Sequence, residues 1–346
     1  MWRLRIGCII SNDFFDKNPM KYNSPILTLF VILMATASQI ASQASPQDGD
    51  SPPAWAYAVA AADYKLPVDN GEMRHVPGSS AAWTLTQTRD RFFTADWHPT
   101  EHPPMPEVVA HGRKPDLNAC GFCHRADGPG GPENASIAGL PAAYIVEQMA
   151  DFKSGSRKSS LAALGPPKNM IATAKAATDE DVAQAAAYFS RLKPRKLITV
   201  VESAEVPKTY VAAFVYSPRE GSEKEPIGNR IIEMPKDLEQ FESRDSHSEF
   251  VAYVPPGSIA KGRDLAEAGG GGKTTACSTC HGKDLRGIGA TPGIAGRSPS
   301  YLMRQLYDMK HGARAGAGSE PMKLVLRNLG EADLLSLAAY AASREP

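Results

Sequence analysis

The chain has 346 residues, and its 38 basic and 38 acidic side chains balance to a formal net charge of zero. This length is enough for two compact domains, because a domain usually spans about 100–200 residues. No run of about five or more like charges occurs, which excludes both the basic patch of a nucleic-acid-binding protein and an acidic tail. We therefore expect no nucleic-acid partner.

A short apolar segment lies near the amino terminus. Residues 26–35 form its core, which is shorter than the ~20 residues that span a bilayer. Met20 and Lys21 precede it, and small residues suited to cleavage occur at 35–37 and 42–44. We predict a signal peptide over 1–44, with Met20 as an alternative start, and export to the periplasm. A membrane location is expected only if this leader stays uncleaved.

Residues 45–106 are rich in proline and aromatic side chains. They include Trp55, Trp83 and Trp97, whereas disordered tails are poor in aromatic residues. The segment shows little periodicity apart from residues 81–93, which suggest one helix. We predict an irregular N-terminal arm that packs against the first domain downstream.

Two short strings of cysteine and histidine stand out in the remaining sequence, Cys120-Gly-Phe-Cys123-His124 and Cys277-Ser-Thr-Cys280-His281. Cys-x-x-Cys-His is the attachment signature of c-type haem, in which each thiol forms a thioether with the porphyrin and the histidine coordinates iron. Half a zinc site and a thioredoxin-like redox pair are the alternatives. A zinc site would need a second pair of ligands nearby, and a redox pair does not explain a histidine after both pairs, so we predict two covalently bound haem c groups.

The predicted covalent attachment residues are Cys120, Cys123, Cys277 and Cys280, and the predicted proximal iron ligands are His124 and His281. The fifth cysteine, Cys8, lies within the predicted leader, so no free thiol is expected in the mature chain.

Each string lies within a segment whose pattern is helical, and we place the two domains at 107–195 and 251–346. In the first, Pro141 suits a first helical position, and Thr178 and Asp181 form the capping pattern of a second helix. In the second, helices are predicted over 259–268, from Ser298-Pro299 onward, and over 331–343.

The intervening residues 196–250 differ in character. They contain three runs rich in β-branched and aromatic residues, at 197–201, 210–216 and 230–234, separated by proline, glycine and charged turns. We predict a small β-like insertion that connects the two helical domains.

The two domains repeat each other beyond the attachment strings. An offset of 157 aligns Cys120 with Cys277 and continues without a gap to Arg157 and Arg314. The offset then becomes 152 and aligns Met170 with Met322. Most methionines fill irregular core space, but this matched pair follows a proline-containing loop before the last helix of each half. We therefore predict Met170 and Met322 as the distal iron ligands, each on a loop.

Each half resembles a class I cytochrome c domain, and the pair is similar to the bacterial di-haem c-type cytochromes. The resemblance implies a mainly α fold of two tandem class I cytochrome c domains, to which the N-terminal arm and the β-like insertion are additions. In this family an early helix crosses the last helix through a small residue. Gly262 with Tyr340 fits that pattern in the second half, whereas the first half offers only Gly112 on a short segment.

Iron with both axial positions filled by protein has no open position for substrate. We therefore predict a periplasmic carrier of single electrons between a redox-protein donor and acceptor, rather than an enzyme. One alternative is a peroxidase-like di-haem enzyme with one open haem, and another is the cytochrome subunit of a dehydrogenase complex. A thiosulfate-type di-haem enzyme with a cysteine ligand is disfavoured, because no spare cysteine remains.

The open-haem alternative draws attention to the histidines outside the attachment strings, which are His75, His98, His102, His111, His247 and His311. We interpret them as surface or structural residues. Four basic residues near the second string are interpreted as a solvated face rather than a docking patch: Lys283, Arg286, Arg297 and Arg304.

Overall fold

In a computed structural model, residues 51–346 of the chain are described, so the predicted signal peptide and its cleavage sites lie outside the described residues. The described part is mainly helical, in agreement with the predicted fold class. Its α-helices are α1 Leu85–Thr88, α2 Glu107–Ala110, α3 Cys120–His124, α4 Ala142–Ser154, α5 Gly165–Ala176, α6 Asp179–Ser190, α7 Leu238–Glu242, α8 Ser258–Ala268, α9 Ser278–His281, α10 Pro299–Lys310, α11 Glu320–Leu326 and α12 Glu331–Ser343. Short 3-10 helices occur at Ala54–Ala56 and Ala317–Ser319.

The insertion between the helical domains is a β-structure, as predicted. Its strands are β1 Ile198–Glu202, β2 Glu205–Pro207, β3 Thr209–Ala212, β4 Val215–Pro218, β5 Lys224–Pro226, β6 Ile232–Pro235 and β7 Phe250–Val254. β7 pairs in parallel with β1 and antiparallel with β6, while β2 pairs with β5 and β3 with β4. The run at 210–216 forms two strands rather than one, because the chain turns at Ala213, whose φ is +54°, and β3 and β4 form a hairpin.

Local capping explains where several helices begin. At α6, the Thr178 hydroxyl accepts a hydrogen bond from the Asp181 backbone N–H at 3.1 Å, and the Asp181 carboxylate accepts one from the Thr178 N–H at 2.8 Å. The Ser298 hydroxyl similarly accepts from the Tyr301 N–H at the start of α10. These predicted caps are confirmed. Pro141, predicted as the first helical residue, is instead the N-cap of α4.

The second domain is built on the close crossing of α8 and α12. A Cβ atom added to Gly262 would lie 2.0 Å from the Ser336 carbonyl oxygen and 2.6 Å from the Tyr340 Cβ. Only glycine allows this approach, so the predicted Gly262–Tyr340 contact is confirmed. Gly112 has no such role. It follows the four-residue helix α2 at a φ of +66°, and its Cα faces the backbone of Leu117 rather than another helix.

The arm is less helical than predicted and packs more widely. The helix expected over 81–93 is wrong except for α1, because Trp83 leaves the helical path to pair with Arg74 in an isolated β-bridge. The start of the arm lies on the second domain, where the Tyr57 hydroxyl donates to the Asp308 carboxylate at 2.7 Å. The arm also contacts the first domain, as predicted, since the Thr94 N–H donates to the Ala110 carbonyl oxygen, so it packs against both domains.

Among the helices of residues 51–346, none combines the length and apolar character needed to cross a bilayer.

Candidate haem sites

One cavity of about 530 Å³ is lined by both Cys-x-x-Cys-His strings. Every site residue predicted from the sequence contributes to its wall: Cys120, Cys123, His124, Met170, Cys277, Cys280, His281 and Met322. Much of the remaining wall is apolar and comes from helices of both domains. The tertiary structure thus brings together side chains that lie up to about 200 positions apart in the chain.

The two attachment histidines have the same surroundings. The Nδ1–H of His124 donates to the Ala135 carbonyl oxygen at 2.9 Å, and that of His281 donates to the Pro292 carbonyl oxygen at 2.8 Å. In each half the acceptor lies 11 residues downstream. This bond orients the ring and leaves Nε2 with its lone pair. Burial lowers the pKa of both histidines, which favours the neutral imidazole that binds a metal.

The attachment cysteines are held on short helical turns beside those histidines. Burial raises the pKa of the Cys120 thiol to about 12 and that of the Cys277 thiol to about 11. The free thiols are therefore protonated at neutral pH.

Met170 and Met322 lie on helices, so the predicted loop position is wrong for both. Met170 belongs to α5 and Met322 to α11, and prolines occupy the first turn of each helix. Met149 and Met309 also line the cavity. Neither of these has a methionine at the aligned position of the other half. Among residues 51–346, Met170 and Met322 therefore form the only matched methionine pair in the cavity wall.

A reciprocal hydrogen-bond network joins the two domains at the cavity. Arg157 donates to the Tyr301 hydroxyl at 2.7 Å and to the Gln305 side-chain oxygen at 2.8 Å. Arg314, its equivalent, donates to the Tyr144 hydroxyl at 2.8 Å and to Gln148 at 2.9 Å. Each half therefore supplies an arginine to the tyrosine and glutamine of the other half.

Two further arginines are buried, so their interpretation as part of a solvated face is wrong. Arg297 is buried and donates to the carbonyl oxygens of Ser136 and Ala138 in the other domain. Arg304 is also buried and donates to the carbonyl oxygens of Ala56 and Pro132. Both are inter-domain residues, which the sequence pattern did not indicate.

The donor set of this cavity fits haem c. Four guanidinium groups line it, from Arg157, Arg297, Arg304 and Arg314, and the buried Nε of Arg314 has no hydrogen-bond partner. Burial lowers the pKa of Arg297 only to about 10, so its guanidinium remains charged at neutral pH. A haem brings two carboxylates, which complement buried cations. The apolar walls suit the porphyrin, and the paired thiols and imidazoles suit its attachment and iron.

The other histidines lie elsewhere. Of the eight histidines, all of which are within residues 51–346, only His124 and His281 line the cavity. His98 and His247 lie with Glu101 between the arm and the insertion. Their rings are stacked with centroids 3.7 Å apart and planes within 6°. A metal ion lies near the plane of each imidazole that binds it, and two parallel, stacked planes share no such point.

These histidines are instead held by carboxylates. His98 Nε2 donates to buried Asp245 at 3.0 Å, and His247 Nε2 donates to Glu101 at 3.0 Å. His102 donates to Asp96, and that bond raises its pKa. The interpretation of these three histidines as structural residues agrees with their contacts.

Comparison with known proteins identifies related chains, although no family model matches. The chain is 38% identical over 86 residues to cytochrome c4 of Azotobacter vinelandii, covering 23% of this chain and 41% of that relative. It is 32% identical over 79 residues to cytochrome c-554(548) of Halomonas halodenitrificans, covering 22% of this chain and 95% of the relative. The matched part thus spans about two fifths of the cytochrome c4 but nearly all of the smaller cytochrome.

A longer match of 25% identity runs over 235 residues of a thiosulfate dehydrogenase electron acceptor from Thiomonas intermedia, covering 66% of this chain and 80% of that protein. Among solved structures, reduced cytochrome c4 from Pseudomonas stutzeri superposes with a TM-score of 0.43 at 22% identity, covering 65% of this chain and 93% of the other.

The chain therefore belongs to the c-type cytochromes. With its duplicated domain it is a di-haem c-type cytochrome, and the predicted cofactors, two covalently bound haem c groups, are confirmed.

Proposed function

We propose that this protein is a periplasmic cytochrome that carries single electrons between a redox-protein donor and acceptor. The observation that carries the proposal is the single cavity lined by both attachment helices and by the matched pair Met170 and Met322. When bound, each haem c supplies one Fe(III)/Fe(II) couple. Everything else that the function requires comes from the side chains around it.

The proposed attachment residues, through thioether bonds, are Cys120, Cys123, Cys277 and Cys280. The proposed axial pairs are His124 with Met170 and His281 with Met322. The backbone carbonyls behind the histidines hold each imidazole in one orientation with Nε2 available. A soft thioether stabilises ferrous iron relative to a second histidine, so both centres are expected to have raised reduction potentials.

The inter-domain arginines have two proposed roles. Arg157 and Arg314 hold the two halves against each other through hydrogen bonds to the uncharged side chains of Tyr301 and Tyr144. We expect these hydrogen bonds to persist when an iron changes its oxidation state. Arg297 and Arg304 place buried positive charge beside the cavity, where it offsets the haem carboxylates. A rigid, charge-balanced site changes oxidation state with little rearrangement.

A second candidate function follows from the longer relative. The match to a thiosulfate dehydrogenase electron acceptor extends over 235 residues, or 66% of this chain, so the donor for this chain is proposed to be a dehydrogenase. The purified cytochrome alone should then not be reduced by thiosulfate, and reduction should begin when a thiosulfate dehydrogenase is added. Reduction by thiosulfate alone would assign the enzymatic alternative.

The ligand set is tested by optical spectroscopy of the ferric holoprotein. A methionine sulfur bound to ferric haem gives a weak near-red charge-transfer band. Met170→Ala and Met322→Ala should each remove about half of that band, because each removes one of two proposed thioether ligands. A pigment assay should find two haems per chain in the wild-type protein.

The matched controls are Met149→Leu and Met309→Leu, which replace cavity-lining methionines that have no equivalent in the other half. Both should retain the full band. High-spin features in the wild-type spectrum, or an equal loss of the band in the controls, would contradict the closed His/Met sites and favour an open, enzymatic haem.

A further inference from the structure

We propose that partner proteins exchange electrons with this cytochrome at the second attachment site, residues 275–290, because the arm and the insertion close the first. The inference rests on the proposed carrier function and adds where the partner binds and what kind of surface it presents. In each exchange one electron passes from a reduced partner to this chain, so the partner is oxidised and the chain reduced by one electron, with no bond made or broken.

Equivalent residues of the two sites differ in exposure. Phe122 is only 9% exposed, whereas Thr279, at the same position of the repeat, is exposed. Asp127 is 7% exposed, whereas Asp284 is exposed. Cys280 is also exposed to solvent. Since the local sequences are aligned without a gap, the difference comes from what lies on top of each site.

The insertion covers the first site through Arg244. The guanidinium carbon of Arg244 lies 3.7 Å from the Phe122 ring centroid, as in a cation–π contact. Its Nη1 donates to the Phe122 carbonyl oxygen and its Nε to the Thr88 carbonyl oxygen of the arm, both at 2.9 Å. Arg244 has a φ of +59°, which is unfavourable for a residue with a side chain. This one residue ties insertion, arm and attachment helix together.

The arm completes the cover. Gly121 lies so close to Thr94 that an added Cβ would be 2.5 Å from the threonine hydroxyl oxygen. The Trp97 indole N–H donates to the Ser243 carbonyl oxygen at 2.8 Å, and Trp97 is itself buried. Electron tunnelling weakens steeply with distance, so a partner kept outside this layer exchanges electrons slowly with the first site.

The second site instead has an apolar rim. Ile288 is 58% exposed and packs beside Gly282, the residue after the attachment histidine. Leu324 is 65% exposed and lies on α11 between Met322 and Val325, which both line the cavity. Exposed apolar side chains beside a cofactor opening are typical of a protein-binding surface.

The charges around that rim are mostly positive. Lys283, Arg286 and Arg327 form no ion pair within residues 51–346. The exposed carboxylates nearby are Asp284, Glu320, which pairs with Lys323, and Glu345, which pairs with Lys196. The whole segment 251–346 contains 12 basic and 8 acidic residues. The partner that fits is a redox protein with an apolar contact centre surrounded by carboxylates, since complementary charges increase the rate of association.

The test uses holoprotein and plastocyanin, an acidic copper protein, as the probe. Hydrogen–deuterium exchange of the complex maps the contact, and stopped-flow absorbance measures the rate constant of electron exchange at several salt concentrations. The docking variant is Lys283→Glu with Arg327→Glu. The matched control is Lys168→Glu with Lys175→Glu, which makes the same charge change with two exposed lysines of α5 beside the first site.

We expect the complex to protect residues 275–290 and 320–327 from hydrogen–deuterium exchange. At low salt, the rate constant of electron exchange should fall about tenfold or more in the docking variant, while that of the control variant stays within about twofold of the wild type. Ile288→Asp should slow the reaction, and Val146→Asp, at an exposed position of α4, should not.

Protection over the arm and insertion, absence of any protection, or equal effects of the two charge reversals would overturn the docking inference. A different result would contradict the carrier function itself: the ferric wild-type protein would not be reduced even by hexaammineruthenium(II), a small probe that needs no docking surface.

Discussion

Arg157 donates a hydrogen bond from Nη2 to the Tyr301 hydroxyl at 2.7 Å, although 144 positions separate the two residues in the chain. Arg314 repeats the contact toward Tyr144 at 2.8 Å, and the two arginine backbones pair as an antiparallel bridge. Each arginine of the repeat thus donates to the equivalent tyrosine of the opposite half. The repeat that predicts two domains also supplies the interface that joins them.

Arg157→Ala should destabilise the holoprotein by about 3 kcal/mol, because a charged donor is lost and two side chains, the buried Gln148 and the half-buried Tyr301, lose a partner. Denaturant unfolding followed by far-UV circular dichroism measures this change. Arg327→Ala, which removes an exposed arginine, should change stability by less than about 0.5 kcal/mol. Equal effects of the two substitutions would show that the exchanged contacts do not hold the domains together.

Gly262→Ala should separate α8 from α12, since the new Cβ would lie 2.0 Å from the Ser336 carbonyl oxygen. Overpacking of this kind costs about 1–3 kcal/mol or more. The comparison is Ala260→Gly, an exposed position of the same helix, which should cost about 1 kcal/mol through helix propensity alone. Thermal unfolding should therefore give a lower midpoint for Gly262→Ala, and the reverse order would disprove close packing at this crossing.

Tyr57→Phe tests whether the arm is part of the second domain. Burial raises the pKa of Tyr57, so its hydroxyl stays protonated and donates to Asp308. Removing it should lower the free energy of unfolding by about 1.5 kcal/mol. Tyr253→Phe is the control, since within residues 51–346 its hydroxyl has no hydrogen-bond partner. If both variants unfold like the wild type, the arm contact contributes nothing to stability.

Stability should depend on pH through two equivalent carboxylates. The hydrogen bond from Arg113 holds the pKa of Asp181 below its usual range. Burial raises the pKa of Asp333, but hydrogen bonds from Lys273 and Lys261 more than offset it, and the net pKa is lowered. A folded pKa below the unfolded value of about 3.9 means that each carboxylate stabilises the fold above that value and ceases to do so as pH falls through the folded pKa.

The free energy of unfolding should therefore fall as the pH is lowered from about 5 to about 2, and Asp333→Asn should flatten part of that decline. Asp284→Asn is the matched control, because the Asp284 carboxylate is exposed and lacks an ion pair in the described part of the chain. Chemical denaturation at a series of pH values gives the slopes. An Asp333→Asn slope equal to that of the wild type would contradict the assignment.

Much of the candidate site was predictable from sequence because it depends on short-range spacing. The Cys-x-x-Cys-His strings, the repeat and the caps at Thr178 and Ser298 each involve residues within a few positions of one another. The close crossing at Gly262 followed from the family resemblance. The position of Met170 on a helix was missed because prolines at 166 and 167 suggest a loop, whereas both are tolerated in the first turn of α5.

The sequence by itself determined that the chain is a duplicated c-type cytochrome with two attachment sites, since covalent spacing and local capping need no knowledge of distant residues. Only the tertiary structure decided that Arg157 and Arg314 exchange partners, that Arg297 and Arg304 are buried, and that Arg244 and the arm close the first site while the second stays open. Those outcomes depend on contacts between residues that lie roughly 100 or more positions apart in the chain. At such separations many alternative contacts are compatible with the local sequence, and only the combined packing of the arm, the insertion and both domains selects the native contacts.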